Sequence, residues 1–308
     1  MSFLNGKSRP TEDLLALTPD ALMRCINGLK KRYEWIETGE LAKSVLGRPI
    51  PLVRMGRGNR FILYVGAHHG MEWLTSVLLL YFIDDFCDTL QNGRYAEGLS
   101  LQYILDTRTL LFVPMLNPDG VELAIRGAGE NILAERQRGM NGGSDDFSHW
   151  QANARGVDLN HNYAKGFAAY KKIEAELGIT CGAPTRYSGE HPESEPETAA
   201  LASFIRSLSP YAIFTLHTQG EEIYCGGGEE VGSRIISMAR AVAGLSGYRL
   251  CLPEGPAAYG GLTDWAVGEL GVPSFTLECG KGENPLPPSS ALLTYAALRR
   301  MFFYSSLL

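Results

Sequence analysis

Three apolar runs of strand length in this chain each lead into a side chain that can bind a metal ion or transfer a proton: His69, His217 and Glu278. The runs span residues 61–65, 211–216 and 272–277. Turn residues follow each run and helix-length runs separate them, which is typical of a mostly parallel or mixed sheet with helices on both faces. Functional groups in such sheets lie at the carboxyl ends of the strands. We therefore expect the three side chains to meet at one edge of the sheet.

The turn after the first run contains a pair of candidate metal ligands, His69 and Glu72. Together with His217 they form a His₂Glu set that leaves a fourth position for water, as in catalytic zinc sites. Zinc lowers the pKa of its bound water to about 7 and polarises a carbonyl group. Glu278 is a carboxylate at the same expected edge and can take the proton from this water. Asp158 can orient a liganding histidine by accepting its Nδ1–H.

Taken singly, several of these residues are also compatible with ordinary structural roles. His68 competes with His69, because residues four apart on a helix face each other and the carboxylate lies four positions after His68. A histidine such as His217 at a strand end is more often a hydrogen-bonded surface residue than a ligand. Glu278 can pair with Lys281. The combination of residues, and no single one of them, indicates the zinc site.

Composition and hydropathy restrict the other functional classes. The chain of 308 residues is 45% hydrophobic and 20% charged, as expected of a globular protein with a sizeable core. With a net charge of −6 and no large Lys/Arg cluster, it is not expected to bind nucleic acid. Its longest apolar run, residues 73–83, is too short to cross a membrane.

The expected location is the cytoplasm, and the expected organisation is a single domain. Residues 1–10 are polar and contain no secretory signal, and the six scattered cysteines form no CxxC pair. No repeat or Pro/Gly-rich linker divides residues 1–308, so we expect one domain with residues 1–33 as an N-terminal helical extension packed on it. Residues 127–152 are rich in Gly, Asn, Asp and Ser and are expected to form a long functional loop.

Five short motifs, spread over most of the chain, resemble those of the zinc carboxypeptidase family of metallopeptidases. In chain order they are His69-Gly70-Met71-Glu72, Asn117-Pro118-Asp119-Gly120, Gly156-Val157-Asp158-Leu159-Asn160, Leu216-His217-Thr218 and Phe275-Thr276-Leu277-Glu278. The resemblance implies that His69 rather than His68 binds the metal, and that each chain holds one Zn²⁺. It also implies a single-domain, three-layer α/β/α fold with a mixed, mostly parallel eight-stranded sheet.

Three further segments resemble the γ-D-glutamyl-L-diamino acid endopeptidases, which cleave peptidoglycan stem peptides between D-Glu and diaminopimelate. The segments are residues 43–49, 217–224 and 282–287. This resemblance implies a peptide substrate, a muropeptide, whose γ-D-Glu–diaminopimelate bond is hydrolysed with Glu278 as the general base.

The chain departs from the carboxypeptidase pattern where that family holds the substrate's terminal carboxylate. The family uses an Asn-Arg pair, and the matching step here is Asn160-His161. The planar fork of arginine forms a bidentate clamp on a carboxylate, and an imidazole cannot. The resemblance thus assigns Asn160 and His161 to substrate binding while making a plain C-terminal carboxypeptidase less favoured.

A second departure concerns the family's oxyanion-stabilising arginine, whose matching position here is Gln151. Gln151, Arg155 and Arg138 are the alternatives for this role, and the charge of Arg155 favours it. Tyr259 lies nearest to the position of the family's mobile tyrosine and is a candidate for substrate binding.

Other functions compatible with the same motifs are a metallocarboxypeptidase acting on ordinary C-terminal residues and an N-acyl-amino-acid deacylase, which uses a similar zinc site. A non-catalytic binder of peptide or murein is expected to have lost a ligand or the base, and this chain keeps both. The oligomeric state is left open by the sequence.

Overall fold

The computed structural model describes residues 12–226, 231–253 and 255–308, which form a mixed eight-stranded sheet with helices on both faces. In chain order the strands are β1 (Glu37–Lys43), β2 (Pro49–Gly56), β3 (Arg60–Val65), β4 (Tyr95–Ala96), β5 (Leu99–Ser100), β6 (Arg108–Val113), β7 (Ala212–His217), β8 (Glu222–Tyr224), β9 (Arg249–Cys251) and β10 (Ser274–Glu278). The order across the sheet is β1-β2-β6-β3-β7-β10-β8-β9, and β4 pairs only with β5. The four central strands, β6, β3, β7 and β10, are parallel.

The described residues form eleven α-helices. In chain order they are α1 (Glu12–Leu15), α2 (Pro19–Arg32), α3 (Leu74–Asn92), α4 (Leu101–Thr107), α5 (Pro118–Arg126), α6 (Ala134–Met140), α7 (Phe167–Glu176), α8 (Pro196–Leu208), α9 (Ser233–Ser246), α10 (Leu262–Leu270) and α11 (Ala291–Ser305). Short 3₁₀ helices span Gly70–Glu72, Leu159–His161, Gly255–Ala258 and Pro288–Ser290.

The central strands are mostly apolar and mostly buried, because both of their faces are covered. Successive side chains of a strand point to opposite faces. Ile62 and Tyr64 therefore join the core formed with α3 and α11, whereas Leu63 and Val65 join the core formed with α8 and α10. The predicted three-layer α/β fold with a mixed eight-stranded sheet is confirmed.

The N-terminal helices pack on this domain. The Thr18 hydroxyl accepts the Ala21 N–H at 3.3 Å and Pro19 occupies the first helical position, so α2 begins where its sequence indicates. The buried face of α2 lies in the same core as α3. Residues 1–11 of the expected extension lie outside the described residues.

Residues 127–152 are more ordered than the composition indicates. They contain α6 and share a small apolar core with the end of α5, built around Phe147 and Trp150. The expected long loop is therefore wrong in part, because these aromatic side chains bury the segment against the domain. Among the described residues, no helix has the length and apolar character that crossing a membrane requires.

Candidate active site

Two histidines and a glutamate converge where β3 and β7 end. Glu72 ends the short 3₁₀ helix that starts just after His69, and His217 is the last residue of β7. Because β3 and β7 are adjacent and parallel, their carboxyl ends lie side by side. One carboxylate oxygen of Glu72 lies 2.9 Å from Nδ1 of His69, and the other lies 2.9 Å from Nδ1 of His217. The prediction that these three residues meet is confirmed.

The donor atoms fit a single zinc ion. The Nδ1 atoms of His69 and His217 lie 3.3 Å apart, and ligand atoms from all three residues lie within 4.8 Å of one another. Two imidazole nitrogens this close cannot both carry protons, whereas both can direct lone pairs at one cation. Two nitrogens and a carboxylate oxygen form a ligand set that Zn²⁺ accepts with one position left for water. Nε2 of His217 is buried and has no hydrogen-bond partner among the described residues. No hydrogen bond at Nε2 therefore turns the ring away from the position in which Nδ1 faces Glu72.

His68, the competing histidine, takes no part in this cluster. Its Nε2 lies 3.1 Å from the Tyr163 hydroxyl and its Nδ1 lies 3.4 Å from the Thr215 hydroxyl. Burial, together with the charges of His217 and His69, lowers the pKa of His68. His68 is therefore a neutral histidine with hydrogen bonds of its own.

Asp158 holds His69 through the other nitrogen of its ring. Oδ1 of Asp158 lies 3.2 Å from Nε2 of His69, and Oδ2 accepts the Arg186 N–H at 3.0 Å. Burial acts to raise the pKa of Asp158, but the charges of His69 and His161 hold it well below its ordinary value. The orienting contact thus involves Nε2 of the histidine and not Nδ1 as expected, because Nδ1 faces Glu72.

Glu278, the expected general base, ends β10 and is paired in register with His217 on β7. Burial and the nearby charge of Glu72 raise the pKa of Glu278. Burial also acts to raise the pKa of Glu72, but the charges of His69 and His217 hold it below its ordinary value. Two neighbouring carboxyl groups with opposite pKa shifts are typical of sites that combine a fixed anion with a proton-transfer group.

The turn that carries His69 is held by the Asn117-Pro118-Asp119-Gly120 motif. The Asn117 side chain donates to the carbonyl oxygens of His68 at 3.0 Å and Ala152 at 3.1 Å, and it accepts the Gly120 N–H at 2.9 Å. A Cβ at Gly70 would lie 2.3 Å from the carbonyl oxygen of Gly120, so only glycine permits this approach. The motif is therefore the support of the metal centre rather than a source of reacting groups.

A cavity of about 250 Å³ opens beside His69, Glu72 and His217. Its lining adds polar and small residues to the three ligands and Glu278: Gln151, Asn160, His161, Thr218, Tyr224, Gly226, Pro253, Gly261, Thr263, Asp264, Thr276 and Asn284. No Lys or Arg belongs to the lining formed by the described residues. The described part of the lining therefore offers hydrogen bonds but no cationic side chain.

Of the three candidates for the oxyanion, only Gln151 lines the cavity. Arg155 is half-exposed and lies outside the lining, with Nη1 3.4 Å from a carboxylate oxygen of Glu195. Arg138 is paired with Asp145 at 2.7 Å, also outside the lining. The preference for Arg155 on the ground of its charge is thus not supported, because its guanidinium pairs with Glu195 outside the cavity lining.

Gln151 is oriented by a residue that the sequence did not single out. The Thr185 hydroxyl donates to Oε1 of Gln151. Because this bond occupies the accepting end of the amide, the Nε2 group is the end left to donate. The separation of 34 residues between the two partners hides this contact from local sequence patterns.

Asn160 and His161 line the cavity, and Tyr259 does not. Oδ1 of Asn160 accepts the Leu262 N–H at 3.2 Å, which leaves its Nδ2 as a donor. The Tyr259 ring lies so close to Gly166 that a Cβ there would be 3.2 Å from it. The contribution of Tyr259 is its carbonyl oxygen, which accepts the Nδ1–H of His161 at 2.8 Å.

A buried polar cluster around Asn153 was missed by sequence analysis. Nδ2 of Asn153 donates to Glu195 at 2.8 Å and to Glu197 at 3.3 Å, and Glu197 accepts the Val45 N–H at 3.1 Å. Burial, with smaller contributions from Asp119 and Glu195, raises the pKa of Glu197 to about 7. Glu195 and Glu197 flank Pro196 at the start of α8, where acidic residues are also typical of an ordinary helix N-terminus.

The raised pKa of Glu197 predicts that stability falls as pH rises. Between the unperturbed value of 4.5 and about 7 the folded state keeps a proton that the unfolded state has lost, so unfolding becomes easier with rising pH. Across this pH range, the loss of the proton from Glu197 lowers the free energy of unfolding by about 3 kcal/mol. We expect urea melts at pH 5 and pH 8 to show this loss in the parent protein and a smaller loss in Glu197→Gln. Glu37→Gln, at an exposed position, should lose as much unfolding free energy between pH 5 and pH 8 as the parent does. An equal loss in all three proteins would contradict the raised pKa of Glu197.

Residues 22–234 match the zinc carboxypeptidase family. The chain belongs to this family. Members use Zn²⁺, and the ligand atoms of His69, Glu72 and His217 lie close enough together to hold one such ion. The resemblance drawn from the five motifs is thus confirmed, and Zn²⁺ is the cofactor.

One relative is γ-D-glutamyl-L-diamino acid endopeptidase 1 of Lysinibacillus sphaericus, which is 34% identical over 269 residues. The match covers 87% of this chain and 66% of that protein, so the chain spans about two thirds of its relative's length. Solved structures share the fold. Carboxypeptidase A of Helicoverpa armigera superposes with a TM-score of 0.70 at 17% identity, covering 94% of this chain and 73% of that one. The murein-tripeptide amidase MpaA of Escherichia coli O157 superposes with a TM-score of 0.52 at 21% identity. This match covers 87% of this chain and 91% of that one.

Proposed function

We propose that this protein is a zinc metallopeptidase that hydrolyses the bond between γ-D-Glu and diaminopimelate in peptidoglycan-derived peptides. The observation that carries the catalytic part is the convergence of His69, Glu72 and His217 beside a fourth titratable group, Glu278, in one cavity. The 34% identity to a γ-D-glutamyl-L-diamino acid endopeptidase supports the choice of bond.

In the proposed mechanism the residues around the metal supply positioning and proton transfer. Zn²⁺ held by His69, Glu72 and His217 would supply an acidic water and polarise the scissile carbonyl. Glu278 takes a proton from the attacking water and passes it to the leaving amine, a cycle that suits a carboxyl whose pKa is raised by burial. Gln151 donates from Nε2 to the carbonyl oxygen as negative charge develops on it.

Replacing Gln151 by Leu tests the oxyanion role. We expect kcat to fall by roughly 10²-fold with little change in KM, because one donor aimed at the developing charge is worth about that much. Thr185→Val should lower kcat by a smaller factor, since it releases the accepting end of the amide without removing the donor. Arg155→Gln is the matched control and should stay near the parent rate. A large loss in Arg155→Gln with none in Gln151→Leu would reverse the assignment.

The bond specificity is tested with two peptide series that differ only in linkage. The zinc-loaded protein is incubated with L-Ala-γ-D-Glu-diaminopimelate and with L-Ala-α-D-Glu-diaminopimelate, and the products are identified by mass spectrometry. We expect release of diaminopimelate from the γ-linked peptide at least about tenfold faster. Preferential cleavage of α-linked or ordinary C-terminal residues would favour the carboxypeptidase alternative, and release of acyl groups from acyl amino acids would favour the deacylase.

A further inference from the structure

The ring of His161 is held in one tautomer. It stacks on Tyr170 with ring centroids 3.8 Å apart and an interplanar angle of 12°. Its Nδ1 lies 2.8 Å from the carbonyl oxygen of Tyr259. Because a carbonyl oxygen can only accept, Nδ1 must carry the proton, and the neutral ring is left with a lone pair on Nε2. Burial lowers the pKa of His161 although the charge of Asp158 opposes this, so the ring stays neutral near pH 7.

His161 belongs to a wall of the cavity that is joined by hydrogen bonds to the strand of Glu278. Asn160 accepts the Leu262 N–H at the start of α10, and the next residue of α10, Thr263, lies 2.8 Å from the hydroxyl of Thr276. Thr276 precedes Glu278 by two positions on β10 and so faces the same side of the sheet. In the proposed function Glu278 protonates the leaving amine, so the residue that leaves occupies this wall.

Within the described residues, this wall presents no cation that could form an ion pair with a carboxylate. The described residues that line the cavity include no Lys or Arg. Arg186 is near enough for its charge to lower the pKa of His161, but it is exposed and does not belong to the lining. A free carboxylate at this wall would place its lone pairs against that of Nε2, whereas an amide N–H would donate to it.

We propose that His161 is a specificity-determining hydrogen-bond acceptor that selects substrates whose leaving residue carries an amide in place of a free α-carboxylate. Such substrates are stem peptides that continue past the diamino acid or whose diamino acid is carboxamidated. The inference rests on the proposed function for the side of the cavity that the leaving residue occupies. On this inference, the imidazole of His161 decides whether the enzyme cuts within a peptide or removes its last residue.

The test compares kcat/KM for peptides that differ only in the α-carboxyl group of the leaving residue: free acid, carboxamide, and extension by D-Ala. The comparison is made in the γ-linked series and in the α-linked series, with the zinc-loaded protein at pH 7. We expect the amide and the extended peptide to exceed the free acid by about tenfold, mainly through KM. A free acid cleaved as well as the amide would overturn the inference, whichever linkage is cut. Cleavage of only the α-linked series would instead refute the proposed bond specificity while still measuring the acid-to-amide ratio.

Variants separate His161 from its surroundings. His161→Arg should reverse the preference in favour of the free acid by at least about tenfold, because a guanidinium can stack on Tyr170 and clamp a carboxylate. His191→Arg adds the same charge at an exposed position outside the lining and should leave the ratio unchanged. Arg186→Gln should also leave it unchanged; a ratio governed by Arg186 rather than His161 would refute the proposal.

A spectroscopic measurement checks the tautomer without relying on turnover. In protein labelled with ¹⁵N-histidine, the resonance lost in His161→Gln should show a protonated Nδ1 and an unprotonated Nε2 in the parent. A protonated Nε2 at pH 7 would contradict the acceptor role. His161→Gln itself, whose amide can turn either end to the cavity, should bring the acid-to-amide ratio close to one.

Discussion

The Glu278→Gln variant is expected to bind zinc as tightly as the parent protein and to lose roughly 10²–10⁴-fold in kcat. Glutamine keeps the shape of the side chain at the end of β10 but cannot take or give a proton at neutral pH. Zinc binding should survive because the ligand atoms come from His69, Glu72 and His217. The measurements are bound zinc by inductively coupled plasma mass spectrometry and steady-state hydrolysis of the γ-linked peptide.

A neighbouring carboxylate provides the control for this prediction. Glu222 pairs in register with Glu278 from the antiparallel strand β8, lies outside the cavity lining and is bonded to Tyr224 and Arg249. Glu222→Gln should therefore keep most of the activity. A Glu278→Gln protein that turns over at the parent rate would show that another group is the base.

The second large effect is expected from the metal centre. His69→Ala removes one of two nitrogen ligands and should bind no more than about a tenth of an equivalent of zinc under conditions that saturate the parent. Activity should fall by about a thousandfold or more, because the polarising cation contributes several kcal/mol to transition-state stabilisation. The chelator 1,10-phenanthroline should reduce the parent to the same level, and added Zn²⁺ should restore the parent but not the variant.

His68 is the matched control for His69. It is adjacent in sequence and fully buried, but it is hydrogen-bonded to Tyr163 and Thr215 and not to the ligand cluster. His68→Gln should keep its zinc even if its thermal stability decreases. Loss of zinc from His68→Gln with a folded circular dichroism spectrum, and retention in His69→Ala, would exchange the roles of the two histidines.

The sequence predicted those parts of the fold whose residues form a continuous apolar run. Three of the central strands, β3, β7 and β10, are covered on both faces, and each overlaps with one of the predicted apolar runs at residues 61–65, 211–216 and 272–277. The elements that were missed are short or ambiguous. The strands β8 and β9 have three residues each, too few to show a period. Asn117-Pro118-Asp119-Gly120 has the composition of a turn, although it begins α5. An Asn followed by Pro serves equally as a helix N-cap.

The sequence by itself determined the candidate chemistry, a metal-binding triad with a carboxyl group beside it, because these are properties of residue types set at strand ends: His69, Glu72, His217 and Glu278. The tertiary structure alone decided how the surrounding groups act, because their partners are distant in the chain. Thr185 orients Gln151 from 34 residues away, and Tyr259 fixes the tautomer of His161 from 98 residues away. An ion pair with Glu195 holds the charge of Arg155 outside the cavity. The sequence shows the charge and type of each residue. Which group donates and which accepts a hydrogen bond is decided only when folding brings the two partners together.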